Sequence, residues 1–281
     1  MEASSYSRGF RQLPGRLNLN PLRPRASVEL DRALLKDRPK EEPFPPPPYQ
    51  SWAQFDADFV WEQGEHISLA GGTGSGKTTF ARQLLPRRGY VAVLGTKSRS
   101  ASLYGPLEKM GFVTRSKWDP KPAEEPKVIF KPPLVGGAAG KEDQREAFRE
   151  MLTDVFEEGN WCIYLDEARY ITNFLGLQTE MELLWEQGRE LGISVVVGSQ
   201  RPVKVPVIAW EAQHLFIWRF TEKRDIDTIS EFTGTLFPVV RQTIPRLPKH
   251  EVLHVQPEYG IASRTKLPLD AITAQIAGGP R

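Results

Sequence analysis

The chain has 281 residues, 40% of them hydrophobic, with 37 basic and 35 acidic side chains and a formal net charge of +2. That length carries one large α/β domain plus extensions, and the balanced charge excludes a generic polycation, so any nucleic-acid contact has to come from local patches. A single cysteine, Cys162, excludes an intrachain disulfide, and the absence of a long apolar run or an apolar leader predicts a cytoplasmic protein without a membrane span.

Residues 1–50 hold nine of the 24 prolines and nine basic against six acidic residues, ending in "EEPFPPPPY". Such a stretch neither continues a helix nor sits inside a sheet. It reads as a disordered arm, open to a role as a polyproline II docking segment for a protein partner or as a basic arm touching DNA or a neighbouring subunit. Regular patterning begins at Ser51, and residues 51–255 are expected to form the core domain, with 256–281 as a C-terminal tail.

The apolar run Ile67, Leu69, Ala70 leads into Gly71, Gly72, Thr73, Gly74, Ser75, Gly76, Lys77, Thr78 and Thr79, followed by Phe80, Leu84 and Leu85 at helical spacing. This is strand, G-x-x-x-x-G-K-[ST] loop and helix in the order a P-loop requires. The glycines let backbone N–H groups curl around a phosphate, Lys77 supplies a cation toward the β and γ phosphates, and the Thr78 hydroxyl suits Mg²⁺. The start of the helix adds its dipole to the same anion.

Downstream, "YVAVLG" is a buried-strand candidate, while "GFVTRS" and "KVIFKP" read as shorter, more exposed strands separated from the next helix by a loop over 119–141. Phe148, Leu152, Val155 and Phe156 give that helix its apolar stripe, and Gly159 its end. The run "WCIYLDEA" then closes a hydrophobic strand on Asp166 and Glu167. Asp166 is placed to hold Mg²⁺ and Glu167 to polarise an attacking water. After a helix through "EMELLWEQGRELG", the strand "ISVVVGSQ" ends on Gln200, a sensor position if this strand lies beside the acidic one. Strands alternating with helices predict an α/β fold with a mainly parallel sheet.

Phosphoryl transfer also needs a cation for charge on the γ-phosphate. Candidates are Arg169, Arg189, Arg201, Arg219 and Arg224, with Arg189 favoured at the end of the helix before the Gln200 strand. His66, His214, His250 and His254 make no metal-ligand spacing and read as structural or surface residues. Basic loops containing Lys97 and Arg99, or Arg115, Lys117 and Trp118, offer side chains for gripping phosphates if the chain binds DNA, and read equally as solvated loops.

Four segments resemble the FtsK/HerA superfamily of RecA-type motor ATPases: "GEHISLAGGTGSGKTT" (Gly64 to Thr79), "YLDEA" (Tyr164 to Ala168), "GRELGISVVVGSQRP" (Gly188 to Pro202) and, more loosely, "FIWRFTEKRDIDTISEFTG" (Phe216 to Gly234). The resemblance implies a RecA-like (ASCE) P-loop fold, an ATP- and Mg²⁺-dependent motor, Gln200 sensing in cis, and Arg189 as an arginine finger in trans. It also implies a homo-oligomeric, hexameric ring with double-stranded DNA in its pore, of the genome-packaging or transfer type. Two alternatives are a Zot-like ATPase of filamentous phage assembly and a nucleotide-dependent interaction scaffold.

Overall fold

The computed structural model describes residues 43–97, 100, 102–119, 124–133 and 136–268. The expected arm through residue 42, Arg99 and the tail from residue 269 lie outside them. The architecture belongs to the compact unit Phe44–Arg281.

Nine strands form one sheet: β1 (Ile67–Ala70), β2 (Tyr90–Leu94), β3 (Val113–Arg115), β4 (Lys127–Phe130), β5 (Trp161–Leu165), β6 (Ser194–Ser199), β7 (His214–Ile217), β8 (Glu251–Gln256) and β9 (Ile261–Lys266). Their order is β3-β4-β2-β5-β6-β1-β7-β8-β9. Pairing is parallel from β3 to β7 and antiparallel for β7–β8 and β8–β9. Helices α1 (Trp52–Asp58), α2 (Lys77–Leu84), α3 (Tyr104–Lys109), α4 (Gly137–Glu158), α5 (Gln178–Gln187), α6 (Lys223–Glu231) and α7 (Phe237–Thr243) are the α-helices among the described residues, joined by shorter 3-10 and π turns.

The period-two geometry of a strand explains the two cores. Ile163 and Leu165 of β5, Val195 and Val197 of β6, and Leu215 and Ile217 of β7 point to one face, which α4 covers with Phe148, Met151, Leu152 and Val155 and α5 with Met181 and Leu184. The alternate residues, including Leu69, Val91, Tyr164, Val196 and Phe216, meet Phe55 of α1, Phe80 and Leu84 of α2, and Leu107 of α3 on the other face. With both faces covered, the central strands are largely apolar on both faces, with Ser68, Ser194, Ser199 and His214 as buried exceptions, so the sequence shows runs rather than alternation.

Several expectations about local structure are corrected. Strand β4 is buried at Val128, Ile129 and Phe130 rather than exposed, because it lies between β3 and β2; only the edge strand β3 is exposed. Helix α4 starts at Gly137, inside the stretch read as loop. Its opening Gly-Ala-Ala-Gly carries two glycines, each about 1 kcal/mol less favourable in a helix than alanine, which hides the start, and Gly140 is buried. Helix α5 stops at Gln187, so Arg189 stands in the turn that follows it.

Strand β9 carries the sheet past residue 255, out to Lys266. Residues 44–50, read as the end of the arm, lie along this strand: Arg264 N–H donates to Pro48 O at 2.7 Å, Gln50 N–H to Arg264 O at 2.8 Å, and Arg264 Nε to Pro47 O at 2.8 Å. Prolines fit here because an edge needs only their carbonyls. Ser51 then caps α1 reciprocally with Gln54, the exchange that fixes the start of a helix.

Candidate active site

The site lies at the carboxyl ends of β1, β2, β5 and β6, where a parallel sheet opens to ligands. Gly71 N–H donates to Ser199 O at 3.0 Å and Trp218 N–H donates to Ala70 O at 2.8 Å, so the loop after β1 is fastened to both neighbouring strands. A Cβ on Gly71 would stand 2.6 Å from Ser75 Oγ and 2.9 Å from Trp218 Cβ, which leaves room for glycine alone. Gly74 (φ 74°) and Gly76 (φ 116°) take left-handed backbone, free of the Cβ penalty other residues meet there. The N–H groups of Gly74 and Gly76 find no backbone partner among the described residues. They form, with the first turn of α2, a set of donors suited to an anion.

Lys77 is buried, and its ammonium folds back to donate to the carbonyls of Gly71 and, at 3.1 Å, Gly72. Burial pushes its pKa down to about 8, although Asp166 and Glu167 pull the other way. A triphosphate entering the loop would supply the counter-charge this lysine lacks.

Asp166 collects three donors. Thr78 Oγ1 donates to its Oδ1 at 3.1 Å, Tyr164 Oη donates to Oδ1 at 2.9 Å, and Lys97 forms an ion pair with Oδ2. Burial alone would raise this carboxyl, but the bonds from Lys97, Tyr164 and Thr78 outweigh it and hold Asp166 below the ordinary carboxylate range. The donor set fits Mg²⁺: a hydroxyl and a carboxylate are the hard oxygens this ion takes alongside water and substrate phosphate, and Asp166 already carries a cation on Oδ2. No cluster of three or more His, Cys, Asp or Glu that would form an all-protein metal cage occurs among the described residues.

Glu167 differs from its neighbour. Half-buried, it has no side-chain hydrogen bond among the described residues, and burial, aided by the charge of Asp166 and opposed by Lys77, raises its pKa. A carboxylate moved toward neutrality and left free is a better proton acceptor than one locked in a network.

Thr73, Gly74, Ser75, Gly76, Lys77, Thr78, Thr79, Lys97, Asp166, Gln200 and His250 surround one cavity of about 320 Å³, together with Ser102. Gln200 is held by Thr73, whose Oγ1 donates to Oε1 at 2.7 Å. Its strand, β6, lies between β1 and β5, so Gln200 stands between the loop and the acidic pair. A second cavity of about 480 Å³, lined by Trp218, Arg219, Phe220, Arg201 and Lys249 among others, adjoins the loop on its far side.

No family model matches the chain, and no curated protein matches it in sequence. Among solved structures it is similar to the genome packaging NTPase B204 from Sulfolobus turreted icosahedral virus 2 in complex with sulfate, at TM-score 0.55 and 13% identity over 73% of this chain and 98% of that one. The same protein in complex with AMPPCP gives 0.52 and 13% over 72% and 97%. B204, the DNA-packaging ATPase from Sulfolobus turreted icosahedral virus, gives 0.53 and 12% over 73% and 98%. The fold is that of the RecA-like P-loop ATPases.

Of the residues singled out in sequence for the site, Lys77, Thr78, Asp166 and Gln200 line the loop cavity, Glu167 is close enough to interact electrostatically with Lys77 and Asp166 without being among the lining residues, and Arg189 stands apart. The carbonyl of Arg189 lies against Gly64, and its charge is felt by His66, both just before β1. Arg189 therefore sits at the amino end of β6 and Gln200 at its carboxyl end, about 20 Å along a six-residue strand. Of the other arginines, Arg201 is paired with buried Asp225 at 2.8 Å and Arg219 lines the second cavity.

Lys97, a candidate DNA contact in the sequence, instead lines the loop cavity and pairs with Asp166. Its position at the end of β2 is the signal that could have shown this. Arg115 is paired with Glu125, and Trp118 is buried against Phe130 and Trp161, so neither forms a free basic platform. Three histidines are structural as expected. His66 takes a bond from Val195 N–H on Nδ1 and reaches Trp185 O from Nε2, both at 3.1 Å, while His214 bridges Glu65 and His254. His250 is different: it lines the loop cavity, and nothing near it in sequence signals that.

Proposed function

We propose that the chain is a Mg²⁺-dependent ATPase of the FtsK/HerA superfamily that drives double-stranded DNA through an oligomeric ring, in genome packaging or transfer. The observation that carries this reading is the convergence of Lys77 and Thr78 with Asp166 and Glu167 in one place, with Gln200 between them. A nucleotide switch needs the loop and a metal carboxylate; a free second carboxylate beside them suits hydrolysis.

Each residue has a role in that chemistry. Loop amides and Lys77 bind the triphosphate, and Thr78 and Asp166 would hold Mg²⁺, which when bound neutralises charge on the phosphate oxygens. Glu167 takes a proton from the attacking water, and Gln200 orients that water or registers loss of the γ-phosphate. Arg189, remote from its own cavity, serves the site of a neighbouring subunit. Similarity in fold to viral genome-packaging ATPases supports the motor reading, and the superfamily resemblance supplies the expectation of six subunits. Among the described residues, no helix is long and apolar enough to cross a membrane.

DNA-stimulated hydrolysis tests the proposal. Turnover should rise on adding long duplex DNA at low ionic strength and lose that stimulation as salt increases, and particles with an ATP analogue should be rings with a central hole. Hydrolysis indifferent to DNA, from a monomer, would favour the interaction scaffold.

A further inference from the structure

His250 belongs to the turn before β8, far along the chain from the phosphate loop, yet its Nδ1 lies 3.2 Å from the carbonyl oxygen of Ser75. A carbonyl only accepts, so Nδ1 carries the hydrogen and donates. The histidine holds a left-handed backbone, φ 65°, uncommon for a residue with a Cβ and concentrated where a structure needs a particular side-chain direction.

The recipient carbonyl has no other hydrogen bond among the described residues, although the Ser75 N–H, on the preceding peptide, donates to Gly72 O at 3.2 Å. Ser75 lies between Gly74 and Gly76, both at positive φ, and glycine on each side lets the intervening peptide planes rotate at little cost. Ser75 Oγ is buried without a hydrogen-bond partner among the described residues, so the side chain adds packing but no hydrogen-bonded anchor. The peptide Ser75–Gly76 is trans, and planarity puts its N–H opposite its C=O. Fixing the Ser75 carbonyl therefore fixes the direction of the Gly76 N–H, one of the loop donors with no backbone partner.

We propose that His250 is a positioning residue for the phosphate loop: it clamps the Ser75 carbonyl outward so that the Gly76 amide remains a donor for the phosphates of a nucleoside triphosphate. Without the clamp the peptide turns over for part of the time, presenting a carbonyl oxygen to an anion. The inference rests on the reading that this loop binds a triphosphate. It also makes the turn leading into β8, and not only the loop and the acidic strand, part of the nucleotide site.

The test uses two variants that both accept left-handed backbone. His250→Asn keeps a side-chain donor close to the place of Nδ1, and His250→Gly removes it without strain. Binding of a fluorescent ATP analogue to the full chain should be about tenfold weaker in His250→Gly and within about twofold of wild type in His250→Asn. Amide exchange over residues 72–78, measured without nucleotide, should be faster in His250→Gly and unchanged in His250→Asn. Wild-type affinity and exchange in His250→Gly, or an asparagine variant as impaired as the glycine one, overturns the clamp. A wild-type chain that binds no analogue, or a Lys77→Ala variant that binds it equally well, would instead remove the nucleotide reading, and the exchange comparison would still decide on His250.

Discussion

A Cβ on Gly198 would stand 2.6 Å from the carbonyl oxygen of Asp166. Strand β6 approaches the end of β5 so closely that only glycine fits, and this brings the Gln200 strand alongside the acidic pair. The sequence shows a glycine within an apolar strand, a mark of close backbone approach. Gly198→Ala is expected to cost about 1–3 kcal/mol, because the atoms in the way are backbone rather than a yielding side chain. Urea denaturation measures this, and an unchanged midpoint would show that the strands separate freely.

Buried Lys77 carries a cost to stability. Its pKa falls from 10.5 to about 8 through burial, so between those values the unfolded chain binds more protons and stability rises with pH. At pH 7 the charged ammonium is retained at a cost on the order of 1–3 kcal/mol. Lys77→Met should therefore unfold at a higher temperature than wild type in the absence of nucleotide, with the difference shrinking above about pH 8, while losing any stabilisation by ATP. A variant less stable than wild type at neutral pH would contradict this.

Acid sensitivity should come from the opposite end of the sheet. Burial lowers the pKa of His66 to about 4 and that of His254 to about 3, with charge from Arg189 and His214 respectively adding to the effect. Below about 6.5 the unfolded chain takes up protons that these folded imidazoles refuse, so their contribution is complete above that value and is lost as pH falls toward 4 and 3. His214 shifts the same way, through burial opposed by Glu65. Thermal unfolding should show a steep fall in stability between pH 6 and 4, with a shallower slope in His254→Phe, whose ring could keep the stack on Phe216. Equal slopes would assign the acid transition to carboxylates.

Arg189 precedes β6 and Gln200 follows it, so the two residues of one chain cannot serve the same active site directly. Arg189→Ala is expected to retain nucleotide affinity and lose about 10³-fold or more in turnover. Mixed with an equally inactive Glu167→Gln chain, it should recover hydrolysis, since each alanine subunit with an intact site would then meet a neighbour's arginine. No recovery across mixing ratios would argue against action between subunits.

The parts of the site that were legible in sequence are those carried by local chemistry. Strand, loop and helix from Ile67 to Leu84 follow from small residues, lysine and helical spacing in one stretch, and the Asp166–Glu167 end follows from an apolar run that stops abruptly. Residues 44–50 and β9 were less legible because the proline-rich segment bonds through its carbonyls and Arg264, neither of which leaves a periodic pattern. His250 was illegible for a different reason: its partner is a backbone carbonyl brought close by the antiparallel return of β8, and a backbone carbonyl has no sequence signature. Lys97 shows the limit of composition, since a basic loop suggests DNA while the end of β2 places the side chain on Asp166.

In the proposed reaction Glu167 activates water while Lys77 and its loop hold the triphosphate. Affinity for an ATP analogue and steady-state hydrolysis, measured side by side on wild type and Glu167→Gln, test this. The expected result is unchanged affinity within about threefold and a loss of turnover of about 10²–10⁴-fold. Hydrolysis at the wild-type rate in the glutamine variant would contradict it.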